Sequence, residues 1–302
     1  MRDAPARDAA AAGEIVTVAG VVARAAQVLE ASGITDARSE ARDLVAALVD
    51  APRHWPALHA GDVADDALRA AALRAAGCRA KGAPFAYAVG RASFRHLTLA
   101  VDERVLIPRP ETELLVEIVL GECGAAPGGT VVDVGTGSGA IALALAQEGS
   151  FARVIATDVS RDALAVAQEN ARTLAAQLRA PVEFRHGSLL DPVDGAAVWA
   201  IVANPPYIAF DEAAALPASV RDWEPAIALF SADRGLADTA RLVRQAAARL
   251  EARGLLALEV DARRASLVAE LVSADARYED VSVRLDLAGR ERFVVARRRE
   301  QA

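Results

Sequence analysis

Seven short apolar stretches alternating with helix-like runs after residue 130, and three amphipathic runs before residue 84, predict an α/β protein. The sheet should be doubly wound, mostly parallel and seven-stranded, preceded by a small N-terminal helical domain and a β-hairpin linker. A glycine-rich turn directly behind the first of the seven strands supports the same reading.

Taken in order, residues 1–12 are Ala-rich with Arg2, Asp3, Arg7 and Asp8, lack the apolar core of a signal peptide and read as a disordered tail. Residues 13–83 should form the helical domain. Within it Glu14 to Glu30, Asp36 to Val49 and Ala64 to Lys81 repeat apolar residues every three or four positions, with Gly33 and Pro52 as punctuation. At Pro84 the texture changes. Phe85 to Val89, then Gly90-Arg91, then Phe94 to Val101 with Leu97, Leu99 and Val101 alternating suggest a hairpin within a linker over residues 84–106. Residues 107–302 should be the large domain, opening with a helix from Glu111 to Cys123 behind Pro108-Arg109-Pro110. Strands are expected near 130–134, 153–157, 182–185, 198–203, 254–260, 279–284 and 291–297. Only Asp286 to Arg290 separates the last two, so they should pair antiparallel at one edge.

Composition narrows the function classes. The 302 residues are 53% apolar, enough for a substantial core, yet no uninterrupted apolar run reaches the ~18 residues of a membrane span. A cytoplasmic protein without membrane partners is expected. The net charge of −7 and the lack of a basic run interleaved with aromatics argue against direct nucleic-acid binding as the main source of affinity. Cys78 and Cys123 have no metal or redox spacing, and His54, His59, His96 and His186 are scattered, so no metal is expected. Arg297-Arg298-Arg299 reads as a solvated tail.

Two motifs carry chemistry. The strand Thr130 to Val134 runs into Gly135-Thr136-Gly137-Ser138-Gly139 and a helical run, a strand, glycine loop and helix in which backbone can approach an anionic ligand closely. Its G-x-G-x-G spacing differs from the G-x-G-x-x-G of dinucleotide binders. A second strand delivers Asp158 nineteen residues after Gly139, where a carboxylate can accept both hydroxyls of a ribose. A nucleoside-containing cofactor follows. The other motif is an apolar strand ending in Asn204-Pro205-Pro206-Tyr207. Consecutive prolines fix φ and remove two donors, leaving the carbonyls of Asn204 and Pro205 and the Asn204 side-chain oxygen as acceptors for a planar NH2 group. The Tyr207 ring can lie against its flat face. Methyl transfer onto an amide or amino nitrogen fits that pocket, although a lone N-P-P-Y can also simply close a strand.

With those residues in place, the chain from about Ala83 to Arg297 resembles the HemK/PrmC family of class I S-adenosylmethionine-dependent methyltransferases, the release factor glutamine methyltransferases. Phe94 to Leu99 with Val105-Leu106-Ile107-Pro108-Arg109-Pro110-Glu111-Thr112-Glu113 resembles the family's linker signature, Asp133 to Ile141 its cofactor loop and Asn204 to Tyr207 its substrate motif. The resemblance implies a Rossmann-like fold and S-adenosyl-L-methionine as cofactor. It further implies methylation of the side-chain amide nitrogen of the glutamine in the Gly-Gly-Gln loop of peptide chain release factors. By the same carry-over Gly135, Thr136, Gly137, Ser138 and Gly139 bind the methionine part of the cofactor, Asp158 the ribose, and Leu189 lies beside adenine. Asn204, Pro205, Pro206 and Tyr207 hold the glutamine, with Asn204, Pro205 and Tyr207 catalytic and Asn204 also at the cofactor. Residues 13–83 resemble the family's substrate-recognition domain in length and texture. Family resemblance puts Arg109 and Glu111 near the cofactor mouth, whereas Pro110 followed by Glu111 equally reads as an ordinary helix start. The chain departs from the family at Ser188 and Leu189, where an acidic residue is frequent, and at Asp261 to Arg264. Rival readings are methylation of a glutamine on ribosomal protein L3, amino methylation of nucleic acid, and a non-catalytic cofactor-binding scaffold. A monomer is expected.

Overall fold

The computed structural model describes residues 16–124, 128–193, 195 and 198–300; the expected tail at residues 1–12 lies outside them. The chain divides into two compact units, Met1–Val89 and Gly90–Ala302.

The first unit is helical, with helices Val18–Ala31, Ala37–Leu48, Trp55–Leu58, Asp66–Ala80 and Phe85–Val89. Thr17 and Asp65 cap the first and fourth, accepting from the backbone N–H of Gly20 (3.2 Å) and Leu68 (2.7 Å). Small residues let the helices approach, so Ala25, Ala41, Ala72 and Ala76 are buried with Leu29, Leu44 and Val45. The strand expected at Phe85 to Val89 is instead a helix. Five residues are too few to fix a period: Phe-Ala-Tyr-Ala-Val alternates, but a helical turn puts Phe85 and Val89 on one side, packed against this unit's core. The Ala88 N–H closes that turn onto the Pro84 carbonyl, and Gly90, at φ +72, ends it.

The second unit opens with the hairpin, whose first arm lies later than expected and includes Arg91 and Phe94: β1 (Arg91–Phe94) turns at Arg95 and His96 and pairs antiparallel with β2 (Leu97–Ala100). Phe94, Leu97 and Leu99 enter the core of this unit. Seven further strands follow: β3 (Thr130–Val134), β4 (Arg153–Asp158), β5 (Val182–His186), β6 (Val198–Ala203), β7 (Leu250–Glu259), β8 (Tyr278–Leu285) and β9 (Glu291–Arg298). They form one sheet in the order β5-β4-β3-β6-β7-β9-β8, parallel from β5 through β7, with β9 antiparallel to both its neighbours. Alternate strand residues feed two cores. Val131, Ala156 and Val202 face the helices Pro110–Cys123 and Ala140–Glu148, while Val132, Ile155 and Ile201 face Ala237–Arg249 and Ala265–Ser273. Chain order reverses at β3, whose neighbours β4 and β6 follow it on opposite sides, and the crevice beyond the carboxyl ends of strands at such a point is where open α/β sheets bind ligands.

The arginine run expected as a solvated tail is mostly strand. Arg297 and Arg298 close β9, Arg297 pairing with Glu122 at 2.8 Å and Arg298 donating to the Ala247 carbonyl at 2.7 Å. Both guanidinium groups thus find partners on the helices Pro110–Cys123 and Ala237–Arg249.

Candidate active site

β3 ends at Val134, and the next turn holds Gly135, Gly137 and Gly139 at φ +74, +56 and +86, values that favour glycine. The three have different duties. A Cβ on Gly135 or Gly137 would meet nothing within 4 Å, so both border open space. On Gly139 it would lie 3.1 Å from Leu143 and 3.3 Å from Ala167, so this glycine serves helix packing. Thr136 and Ser138 are buried and line neither opening. The Thr136 hydroxyl donates to Asp133 Oδ2 at 2.6 Å, and the Ser138 carbonyl accepts from Asn170 at 2.9 Å.

Asp158 ends β4 facing this turn. Its Oδ2 accepts from the Gly137 N–H (2.9 Å) and its Oδ1 from the Ser160 N–H (2.8 Å), which fixes the carboxylate and leaves lone pairs for a ligand. Burial raises its pKa above the ordinary carboxylate value. A cleft of about 200 Å³ brings Gly135, Gly137, Asp158, Leu189, Asn204 and Pro206 together. Leu189 sits there at φ +49, its carbonyl held by the Thr157 hydroxyl at 2.9 Å. An anchored carboxylate, a bare glycine edge and an apolar wall fit a nucleoside-containing ligand. Beneath the turn Asp133 is fully buried; Oδ2 also accepts from the Ala142 N–H, Oδ1 has no partner among the described residues, and burial pushes its pKa up to about 7.

Asn204 follows β6 and borders a second recess of about 190 Å³ with Leu106, Arg109 and Tyr207. It therefore stands at the junction of the two openings. Among the described residues no loop or turn hydrogen bond uses the carbonyls of Asn204 or Pro205, so those acceptors are available. The Asn204 Nδ2 donates to Thr112 Oγ1 (3.1 Å), which donates to Glu259 Oε2 (2.7 Å). Glu259 Oε1 accepts from Arg292 (3.1 Å), and the same guanidinium nitrogen donates to the Tyr207 hydroxyl (2.6 Å), with the guanidinium 5.0 Å from the ring centroid. Burial raises the Tyr207 pKa, helped by the negative Glu259. Pro205 is buried and Tyr207 lies in the second recess, so neither lines the cleft beside Asp158.

Several residues here carry no sequence signal of their own. Glu224, a buried residue on the connection from β6 to β7, accepts from Arg109 (2.5 Å) and from the Ile107 N–H (3.2 Å), holding the segment before Pro110. That occupies Arg109, while Pro110 begins its helix and Glu111 pairs with Arg290 at 3.2 Å. Gly235, at φ +84, passes so close that a Cβ would lie 2.2 Å from the Tyr207 carbonyl oxygen. Asp261 to Arg264 form an ion cluster in which Arg264 reaches Glu212 at 2.8 Å, away from the cleft. A broader depression at the β5 edge, beside Arg172 and Phe184, holds none of the motif residues. Among the described residues, no group of His, Cys, Asp and Glu is arranged to hold a metal ion, and no helix is long and apolar enough to cross a membrane.

Residues 110–217 match the family described as Methyltransferase small domain and residues 21–90 the PrmC N-terminal domain. The catalytic domain of hMettl16 has the same fold, with a TM-score of 0.51 at 17% identity over 80% of this chain and 86% of that one. Release factor glutamine methyltransferase of Moorella thermoacetica is 45% identical over 74% of this chain and 78% of its own length. The corresponding protein of Cereibacter sphaeroides is 41% identical over 89% and 94%. At that identity and coverage, with the glycine turn, Asp158 and Asn204 gathered on one rim, the chain belongs to the release factor glutamine methyltransferase family.

Proposed function

We propose that this protein methylates the side-chain amide nitrogen of the glutamine in the Gly-Gly-Gln loop of peptide chain release factors, using S-adenosyl-L-methionine. The carrying observation is a single cleft with an anchored carboxylate at one end and Asn204 and Pro206 at the other. When bound, the cofactor supplies an electrophilic methyl carbon. Asp158 would hold the ribose hydroxyls, the glycine edge at Gly135 and Gly137 the methionine part and Leu189 the adenine face.

An amide nitrogen is a poor nucleophile because its lone pair is delocalised into the carbonyl, so orientation must do most of the work. Well-placed reactants can gain roughly 7–11 kcal/mol. Asn204 Oδ1 and the Pro205 carbonyl accept the two N–H bonds of the substrate carboxamide, leave its lone pair directed into the cleft, and stabilise positive charge growing on nitrogen. Pro206 and Tyr207 fix the loop that carries those acceptors. The methylated nitrogen is acidic, so water or a carbonyl takes its proton and no dedicated base is needed.

The test is incubation with labelled cofactor and, in parallel, a purified release factor, ribosomal protein L3 and DNA. Label should enter only the release factor, at the Gly-Gly-Gln glutamine. Label on ribosomal protein L3 or DNA alone overturns the reading, and cofactor binding with no transfer to any of them points to a scaffold.

A further inference from the structure

We infer that Glu259, acting through Thr112 and Arg292, is a positioning residue that fixes which way the Asn204 amide faces and clamps both ends of the Asn-Pro-Pro-Tyr segment. The inference rests on the proposed role of Asn204.

Counting protons gives the argument. An ionised carboxylate only accepts, and Oε2 of Glu259 takes the single hydroxyl proton of Thr112. Toward Asn204 the Thr112 oxygen can then only accept, so the amide must turn its NH2 to Thr112, as observed at 3.1 Å. Oδ1 is thereby left for the cleft, as an acceptor that a substrate N–H can use. The other carboxylate oxygen holds Arg292, whose nitrogen grips the Tyr207 hydroxyl, so one carboxylate secures positions 204 and 207 together.

The arrangement reverses if Glu259 gains a proton. The carboxyl can then donate to Thr112, the hydroxyl can turn its proton to Asn204, and the amide can rotate to present N–H against the substrate's own N–H. That mismatch leaves a buried donor pair unsatisfied. The charged and titratable groups facing Glu259 are Arg292, which favours its ionised form, Glu111, which opposes it, and the Tyr207 hydroxyl beside Arg292. Turnover should therefore have an acid limb that belongs to Glu259. Burial raises its pKa, which places that limb above the ordinary glutamate range.

The experiment compares wild type with Glu259→Gln, Thr112→Val, Thr112→Ser and Asn204→Ala, measuring kcat and KM against pH and the dissociation constant for S-adenosylhomocysteine by calorimetry. Glu259→Gln and Thr112→Val should lower kcat about tenfold or more while S-adenosylhomocysteine affinity stays within about twofold. Thr112→Ser, which keeps the hydroxyl, should recover most of the rate, and the acid limb should vanish in Glu259→Gln. Wild-type turnover in Thr112→Val, or a serine variant as poor as the valine one, overturns the inference. If Asn204→Ala keeps its rate, the failure lies in the role of Asn204; if it is inactive while Thr112→Val is not, the failure lies in the positioning. Should Glu259→Gln fail to fold, the near-isosteric valine and serine variants still decide.

Discussion

The Asn204 side chain meets two demands with one amide: its NH2 is spent on Thr112, and its oxygen remains for substrate. Removing the side chain deletes an acceptor needed in the transition state and touches little of the Asp158 end of the cleft. Asn204→Ala should lower kcat by about 100-fold or more, with cofactor affinity retained by calorimetry. Asp158→Ala should do the opposite, weakening S-adenosylhomocysteine binding by about tenfold or more, since a carboxylate held by two backbone N–H groups is replaced by a methyl. An unchanged dissociation constant in that variant removes Asp158 from the ribose. The sequence exposes these two residues because each ends an apolar strand within a local pattern. Thr112 and Glu259 stand 92 and 147 residues from the partners they serve, and such contacts leave no periodicity. Glu224, 115 residues from Arg109, is invisible for the same reason.

Among the elements, the hairpin and the glycine turn are joined by one buried side chain. Asn170, on the helix Arg161–Thr173, accepts from the Ala100 N–H (2.7 Å) and donates to the Ala100 and Ser138 carbonyls (3.0 and 2.9 Å). Asn170→Leu strands three backbone groups in an apolar setting, so it should destabilise by about 2 kcal/mol or more, and by denaturant titration the midpoint should fall. Cofactor affinity should fall with it, because the Ser138 carbonyl is part of the turn. Most of the seven strands of the sheet are legible because they combine β-branched residues with glycine or proline punctuation, whereas β7 has no β-branched residue and is marked by its apolar run after Gly254. Phe85 to Val89 is not legible, since five residues satisfy either period and packing against neighbouring helices decides.

For the whole molecule, Asp133 links site architecture to pH-dependent stability. Its pKa in the folded protein, about 7, lies above the ordinary value near 4 that it regains on unfolding. Between those values the folded state binds more protons, so this residue's contribution falls as pH rises from about 4 to about 7 and is complete below that window. Asp133→Asn should flatten the stability curve over the same range, measured as thermal midpoint against pH; an identical slope in the variant would show that Asp133 ionises freely in the folded protein.

The sheet order carries a consequence for biosynthesis. Of the strands in this sheet β9 comes last in chain order, yet it belongs in the interior, between β7 and β8. Until it emerges, a nascent chain holds β7 with one bare edge and β8 with no hydrogen-bonded partner strand, a condition that invites pairing between chains. Because Arg292 rides on β9, the guanidinium that steadies Tyr207 arrives only after every other strand of the sheet has been made.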